Sequence, residues 1–145
     1  MKIYNSTDIP SQVLDLLISI ARDGLGDEVL INKLYVRNKK KDIIRGNWGY
    51  YHIAERNISV RLPNQKHFPC KRIEPHLKEK YYLDNQIEFL LHVLSHEFRH
   101  AWQFQHKYDA FIHQEYMCEW DAEFYSFKKI MWWKSVDSKK VAVNH

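Results

Sequence analysis

With 145 residues, 45% of them apolar, and neither a repeat nor a low-complexity tract, the chain has enough apolar material for one proper core and nothing that requires a second domain. The net charge is only +4, and two cysteines without C-x-x-C spacing, Cys70 and Cys118, exclude a disulfide framework, which fits a reducing compartment with each thiol as a small buried residue. The opening Met1 to Asn5 runs into Asp8 and Pro10 without a signal peptide's apolar core, and no apolar run could cross a bilayer, so a cytoplasmic protein with no membrane contact is expected.

Asp8 and Pro10 read as a helix start. Val13, Leu14, Leu17, Ile18 and Ala21 carry the helical spacing until Gly24 and Gly26 stop it. Leu34-Tyr35-Val36 predicts a strand, Asn38 to Asp42 a charged turn, and Trp48 to Ile53 a second, aromatic strand. In the third, Ile58, Val60 and Leu62 alternate with Ser59 and Arg61 until Pro63 ends the run. Pro63 to Pro75 reads as loop, with His67, Cys70 and His76 scattered around it. Asp84 or Asn85 can cap a helix that continues to about Gln105. A second long helix runs from near Glu115 to about Lys134, where a stripe of Met117, Trp120, Phe124, Phe127 and Met131 is expected to pack on the first. The segment 136–145 reads as a flexible basic tail behind a single domain at 1–135. The cationic excess gathers at Arg37, Lys39, Lys40, Lys41 and Arg45, and again at Lys128, Lys129, Lys134, Lys139 and Lys140. Such clusters suit a solvated turn and tail, or contact with nucleic acid or an acidic partner.

The most informative stretch is His96-Glu97-Phe98-Arg99-His100, an H-E-x-x-H arrangement. Ile87, Leu90, Leu91, Val93, Leu94, Phe98, Ala101, Trp102 and Phe104 cover nearly the whole circumference of its helix, which predicts a buried central element. Residues four apart on a helix lie about 40° apart around the axis, so two imidazoles project side by side and can share one metal ion. Buried polar groups need partners, and a metal supplies them; histidines satisfied within the core or on a solvated helix edge are the plainer alternative. Glu97 is placed to reach a metal-bound water as a general base.

Catalytic zinc keeps three protein ligands and an open position, so a third donor is required. Glu119 is the choice, since the chain between it and His100 is long enough to end one helix, turn, and return beside it. Glu123 lies one turn further on the same flank, where it can accept a hydrogen bond from a ligand imidazole, while Asp121 points elsewhere. His106, His113, Glu123 and Asp121 stay open as alternative third donors. His92, on the same stripe as His96, suits packing or a supporting hydrogen bond, because three histidines on one straight helix cannot surround a tetrahedral ion.

His96-Glu97-x-x-His100 followed by Glu119-x-x-Ala122-Glu123 resembles the gluzincin pattern of zincin metallopeptidases, H-E-x-x-H with a later E-x-x-A-D, over residues 86–130. The resemblance implies an α+β minimal zincin-like domain: a small sheet of three to four strands on a supporting helix and the central helix, followed by a long C-terminal helix. It implies Zn²⁺ held by His96, His100 and Glu119, with Glu123, in place of the family's usual Asp, supporting a ligand histidine. His106 and Asp109 fall where metzincins place later donors, but Gln103 occupies the glycine that their turn needs. His113 is similar in position to a later histidine of SprT-like proteases, which act on DNA-bound proteins. The small size is similar to ImmA-like peptidases. The function expected is a cytoplasmic zinc metallopeptidase acting on a peptide or protein substrate through a metal-activated water. The strand Ile58 to Leu62 is expected to edge the cleft, and Tyr108, Tyr116 or His113 to stabilise the oxyanion. A zinc-containing module that binds protein or nucleic acid without cutting is the alternative from another class, and a SprT-like DNA-associated protease is the other alternative.

Overall fold

A computed structural model describes residues 1–40 and 48–136. The fold is α+β. Strand β1 (Lys2–Asn5) leads into helix α1 (Ser11–Arg22), followed by β2 (Lys33–Asn38), β3 (Gly49–His52) and β4 (Asn57–Leu62). These form a four-stranded mixed sheet in the order β1-β2-β4-β3, with β1, β2 and β4 parallel and β3 antiparallel to β4. The alternation anticipated for β4 gives the sheet one buried face, where Leu34, Val36, Ile58, Val60 and Leu62 meet the apolar stripe of α1 and the central helix. Pro10 precedes α1, and Gly24 and Gly26 take positive φ just beyond its end, a conformation that glycine adopts without a steric penalty.

The stretch read as loop carries more order than expected. A single 3-10 turn at Gln65–His67 is followed by β5 (Cys70–Ile73), which pairs antiparallel with β6 (Lys80–Leu83) in a separate hairpin. The central helix, α2 (Gln86–His106), is capped by Asn85, whose side chain accepts from Glu88 N. Glu88 in turn accepts from Asp84 N at 2.8 Å, so two orphan amides are satisfied across the helix start. A short helix, α3 (Tyr108–His113), which the sequence did not suggest, reverses the chain into α4 (Glu115–Ser135). Helix α4 packs along α2, and Lys134 near its end clamps the start of α2 through Asp84 and Glu88, at 2.7 and 2.9 Å.

The face that α4 turns inward corrects the expectation in part. Met117 is 58% exposed and Trp120 and Phe124 lie on the half-buried flank, whereas Phe127 and Met131 pack against the core as expected. The buried row is Cys118, Ala122, Tyr125, Ser126, Ile130 and Trp133, which keeps helical spacing with small residues in its first half. No helix among the described residues is long and apolar enough to cross a membrane. Lys41 and Arg45 of the first basic cluster, part of the charged turn, and residues 137–145 of the expected tail lie outside the described residues.

Candidate metal centre

Helix α2 delivers His96 and His100 on one face, as the four-residue spacing requires, with their Nε2 atoms 3.0 Å apart. Helix α4 brings Glu119 to the same point: Oε1 stands 2.8 Å from His100 Nε2 and Oε2 stands 3.3 Å from His96 Nε2. The row Cys118, Ala122 and Ser126 lets α4 approach closely enough for a carboxylate to reach across. Tetrahedral donors at about 2.0–2.1 Å from a common ion are about 3.4 Å apart, near the spacings of these three groups. Glu119 is 54% exposed in its side chain, so the cluster sits at an open rim.

The tautomer of His100 follows from its neighbours. The Gln103 amide donates to the backbone carbonyl of Cys118 at 2.9 Å and to Asp121 Oδ2 at 2.8 Å, two groups that can only accept. Its nitrogen must therefore face them and its oxygen must face His100, at 2.8 Å from Nδ1. Nδ1 is the donor, and the lone pair of Nε2 is aimed at Glu119 and His96. Three groups rich in lone pairs at 2.8–3.3 Å require a positive charge between them, either a proton or a metal ion.

His96 is supported differently. Its Nδ1 lies 3.1 Å from Glu123 Oε1, close in distance but without the alignment of a full hydrogen bond. Glu123 also takes both its oxygens to Arg72 of β5, at 3.0 and 3.1 Å, and Oε2 stands 3.9 Å from His92. His92 is buried and bonded to the Tyr81 hydroxyl of β6 at 2.9 Å; burial drives its pKa down to about 3, so it is neutral. Burial works against a charge on His96 too, yet Glu119 and Glu123 outweigh it and push that imidazole up to about 10. The His100 and His96 imidazoles that face its two oxygens, with the proton held between them, keep Glu119 well below the usual carboxylate range.

Glu97 lies beneath β3. A Cβ at Gly49 would collide with Val93 Cγ1 and come within 3.2 Å of Glu97 Cγ, so the strand crosses the helix at a point only glycine fits. Burial raises the Glu97 pKa against the pull of His96 and His100, and its Oε2 is a buried acceptor without a partner among the described residues. Donor atoms of His96, Glu97 and His100 all lie within 4.8 Å of one another, which leaves Glu97 able to join a metal as well as to address a molecule beside it. The direct contacts of Glu119 with both Nε2 atoms make it the better ligand.

Other expectations are corrected. β4 cannot edge the cleft, since it lies between β2 and β3; the edge strand beside Glu97 is β3. His106 remains on α2 and donates to the Glu28 carbonyl at 2.6 Å, as a helix that does not turn at Gln103 dictates. His113 is exposed at the end of α3, and Asp121 pairs with Arg99 at 2.7 Å. Neither joins the cluster. Tyr108 packs on Phe104, Tyr116 on Trp120, and, like His113, neither lines the cavities at the centre. Among the basic residues, Arg37 and Lys39 stack on Tyr35 and Trp48, and Lys128 and Lys129 on Phe124 and Tyr125.

The sequence reading missed Gln103, Arg72, Tyr81 and Gly49 as working parts of the site. An amide three residues beyond His100 in an apolar helix, and a lone glycine in an aromatic strand, were signals for two of them. Comparison with family models, with curated proteins and with solved structures returns no match.

Proposed function

We propose that the protein is a zinc-dependent metallopeptidase, with His96, His100 and Glu119 as ligands and Glu97 as general base. The observation that carries this reading is the meeting of two imidazole Nε2 atoms and the Glu119 carboxylate, from two helices, within 3.3 Å. The donor set suits zinc, which accepts neutral imidazole and carboxylate together. Zinc, when bound, supplies an acidified water and polarisation of a carbonyl.

The chain's own residues do the rest. Gln103 holds His100 with Nε2 bare, and Glu123 supports His96. The free Oε2 of Glu97 takes the proton of the attacking water. As water adds across the peptide C–N bond, that proton passes to the leaving amine, giving a new carboxylate and a new amine. The raised Glu97 pKa serves both halves of this transfer. The outer edge of β3 carries no pairing with another described strand, so its backbone can align an extended peptide over Glu97.

The test is metal content together with hydrolysis. The intact chain should hold one zinc per molecule, and Glu97→Gln should keep it while losing about 10²–10⁴-fold in peptide hydrolysis. Full activity in that variant would remove Glu97 from the role. A chain that takes up no zinc would end the reading altogether.

A further inference from the structure

We infer that the outer face of the four-stranded sheet, the side turned away from α1 and α2, is a binding surface for single-stranded RNA, separate from the metal cluster. The strand register lines its side chains up in rows. Tyr4, Tyr35, Ser59 and Tyr50 are paired partners across all four strands, and Lys2, Lys33, Asn57 and His52 form the row beside them. Arg37 and Arg61 pair in the row on the other side. The residues between these rows, Leu34, Ile58 and Tyr51, then Val36 and Val60, are buried, so by alternation the rows themselves point outward. None of the four strands contains Asp or Glu. Tyr4 is 46% exposed and Tyr50 53%, and Lys2, Arg37 and Arg61 are exposed with them.

Aromatic rings interleaved with cations, with no carboxylate on the strands, match one class of polymer: flat bases joined by phosphates. Tyr4 and Tyr50 stand about 14 Å apart, three steps of about 4.8 Å between strands, so successive bases of one strand can stack on both. Tyr4 is itself stacked on Tyr35 at 5.0 Å between centroids, and the Arg37 guanidinium lies 4.8 Å from the centre of the Tyr35 ring, which holds these rings in place. Lys39 and Lys40 continue the positive charge beyond the end of β2. A duplex keeps its bases turned inward, and a lipid surface offers phosphates without flat rings, so either would leave the tyrosines unused. The sugar is distinguished between the rings. Ser59, a small residue, leaves a cavity of about 440 Å³ beside Tyr50, walled also by His52 and Arg61, and its hydroxyl stands 3.4 Å from His52 Nε2. A hydroxyl and an imidazole side by side both donate and accept, as a ribose 2′-hydroxyl does; deoxyribose has no group to answer them.

The experiment titrates the full chain into a labelled oligouridylate of about 12 nucleotides, within the roughly 4–16 that a single-strand-binding domain covers, and follows fluorescence anisotropy. Binding should weaken with salt and be about 3–10-fold tighter than for the oligodeoxyuridylate of the same length, the worth of one hydrogen bond to the ribose. Tyr4→Ala and Tyr50→Ala should each weaken it about 5–150-fold, and Tyr50→Phe, which keeps the ring, should bind as the parent does. Arg37→Gln combined with Arg61→Gln should lower the slope of log affinity against log salt by about 1.4, at about 0.7 for each lost phosphate contact. Circular dichroism and a thermal melt verify that each variant folds. No binding at about 50 mM salt overturns the surface, as does binding that all these substitutions leave unchanged. Equal affinity for the deoxy strand overturns the assignment to RNA. Salt-dependent binding indifferent to both tyrosines reduces the face to a general polyanion contact, which overturns it too. Glu97→Gln should bind RNA as the parent does, so this surface and the peptidase reading stand or fall separately.

Discussion

The two histidines of one motif are held by opposite kinds of neighbour. His100 leans on a neutral amide from its own helix, Gln103, whose orientation is locked by two acceptors on α4. His96 leans on a carboxylate, Glu123, which is itself braced by Arg72 from a hairpin remote in sequence. The first arrangement is local and uncharged; it fixes a tautomer. The second is long-range and ionic, and it holds a proton on His96 when no metal is there. The same imidazole pair thus combines a geometric support with an electrostatic one, and the two can be broken separately.

Glu123→Gln should have the larger effect. It removes the charge facing His96 and leaves the Arg72 guanidinium without its bidentate partner, so zinc affinity is expected to fall toward the upper end of the roughly 10–100-fold range for such supporting groups. The melting temperature of the metal-free chain should drop by about 2–4 °C, the shift of about 1 kcal/mol in a chain this size, since the pair is partly solvated. Competition titration against a chelator of known affinity, with a thermal melt, reads both quantities. An affinity equal to that of the parent would mean that Glu123 does not support the metal.

Gln103→Leu should cost less, about 10-fold in affinity, because no charge is lost and the ring can still rotate to a solvated position. The buried Cys118 carbonyl loses its side-chain donor in this variant, so some destabilisation accompanies the change. Gln103→Glu is the sharper probe. A carboxylate still accepts from His100 Nδ1, but it can no longer donate to Asp121 or the Cys118 carbonyl, so affinity should fall although the histidine contact survives. If Gln103→Glu binds zinc as the parent does, the locked amide is not what orients His100.

How much of this was open to reading from the residues alone depends on how local each contact is. The motif and the placement of Glu119 and Glu123 on one flank follow from helical periodicity, which needs no knowledge of the rest of the chain, and a cap at Asp84 or Asn85 follows from residue type. The inward face of α4 followed only in part, because the large side chains of Met117, Trp120 and Phe124 outweighed Cys118, Ala122 and Ser126 when judged by hydrophobicity. In the fold it is the small residues that allow α4 to approach α2. The β5–β6 hairpin was hidden for another reason: Cys70-Lys71-Arg72-Ile73 is too short and too polar to alternate clearly, and Ile73 is exposed. Arg72 and Tyr81 therefore reach the site through pairing that no local pattern announces. The edge strand was misassigned for a similar reason, since alternation identifies β4 as a strand but not that β3 lies outside it.

The pH dependence tests the electrostatic half of the comparison most directly. In the metal-free chain the pKa of His96 lies at about 10, above the roughly 6.5 of an unfolded imidazole. Its ion pairs with Glu119 and Glu123 thus contribute fully to folding below about pH 6.5, and that contribution is lost as pH rises through about 10. Zinc takes only the neutral ring, so binding must expel this proton. The apparent zinc affinity should therefore rise with pH, by about 10-fold per unit between pH 7 and 8.5 if one proton leaves. Calorimetry in buffers of different ionisation enthalpy counts that proton independently. Gln103→Leu should keep the slope, because the amide carries no charge. Glu123→Gln should flatten it, because His96 then loses a carboxylate that holds its proton. A parent chain whose affinity does not change over this interval would show that no proton occupies the place of the metal, and the ionic support of His96 would have to be abandoned.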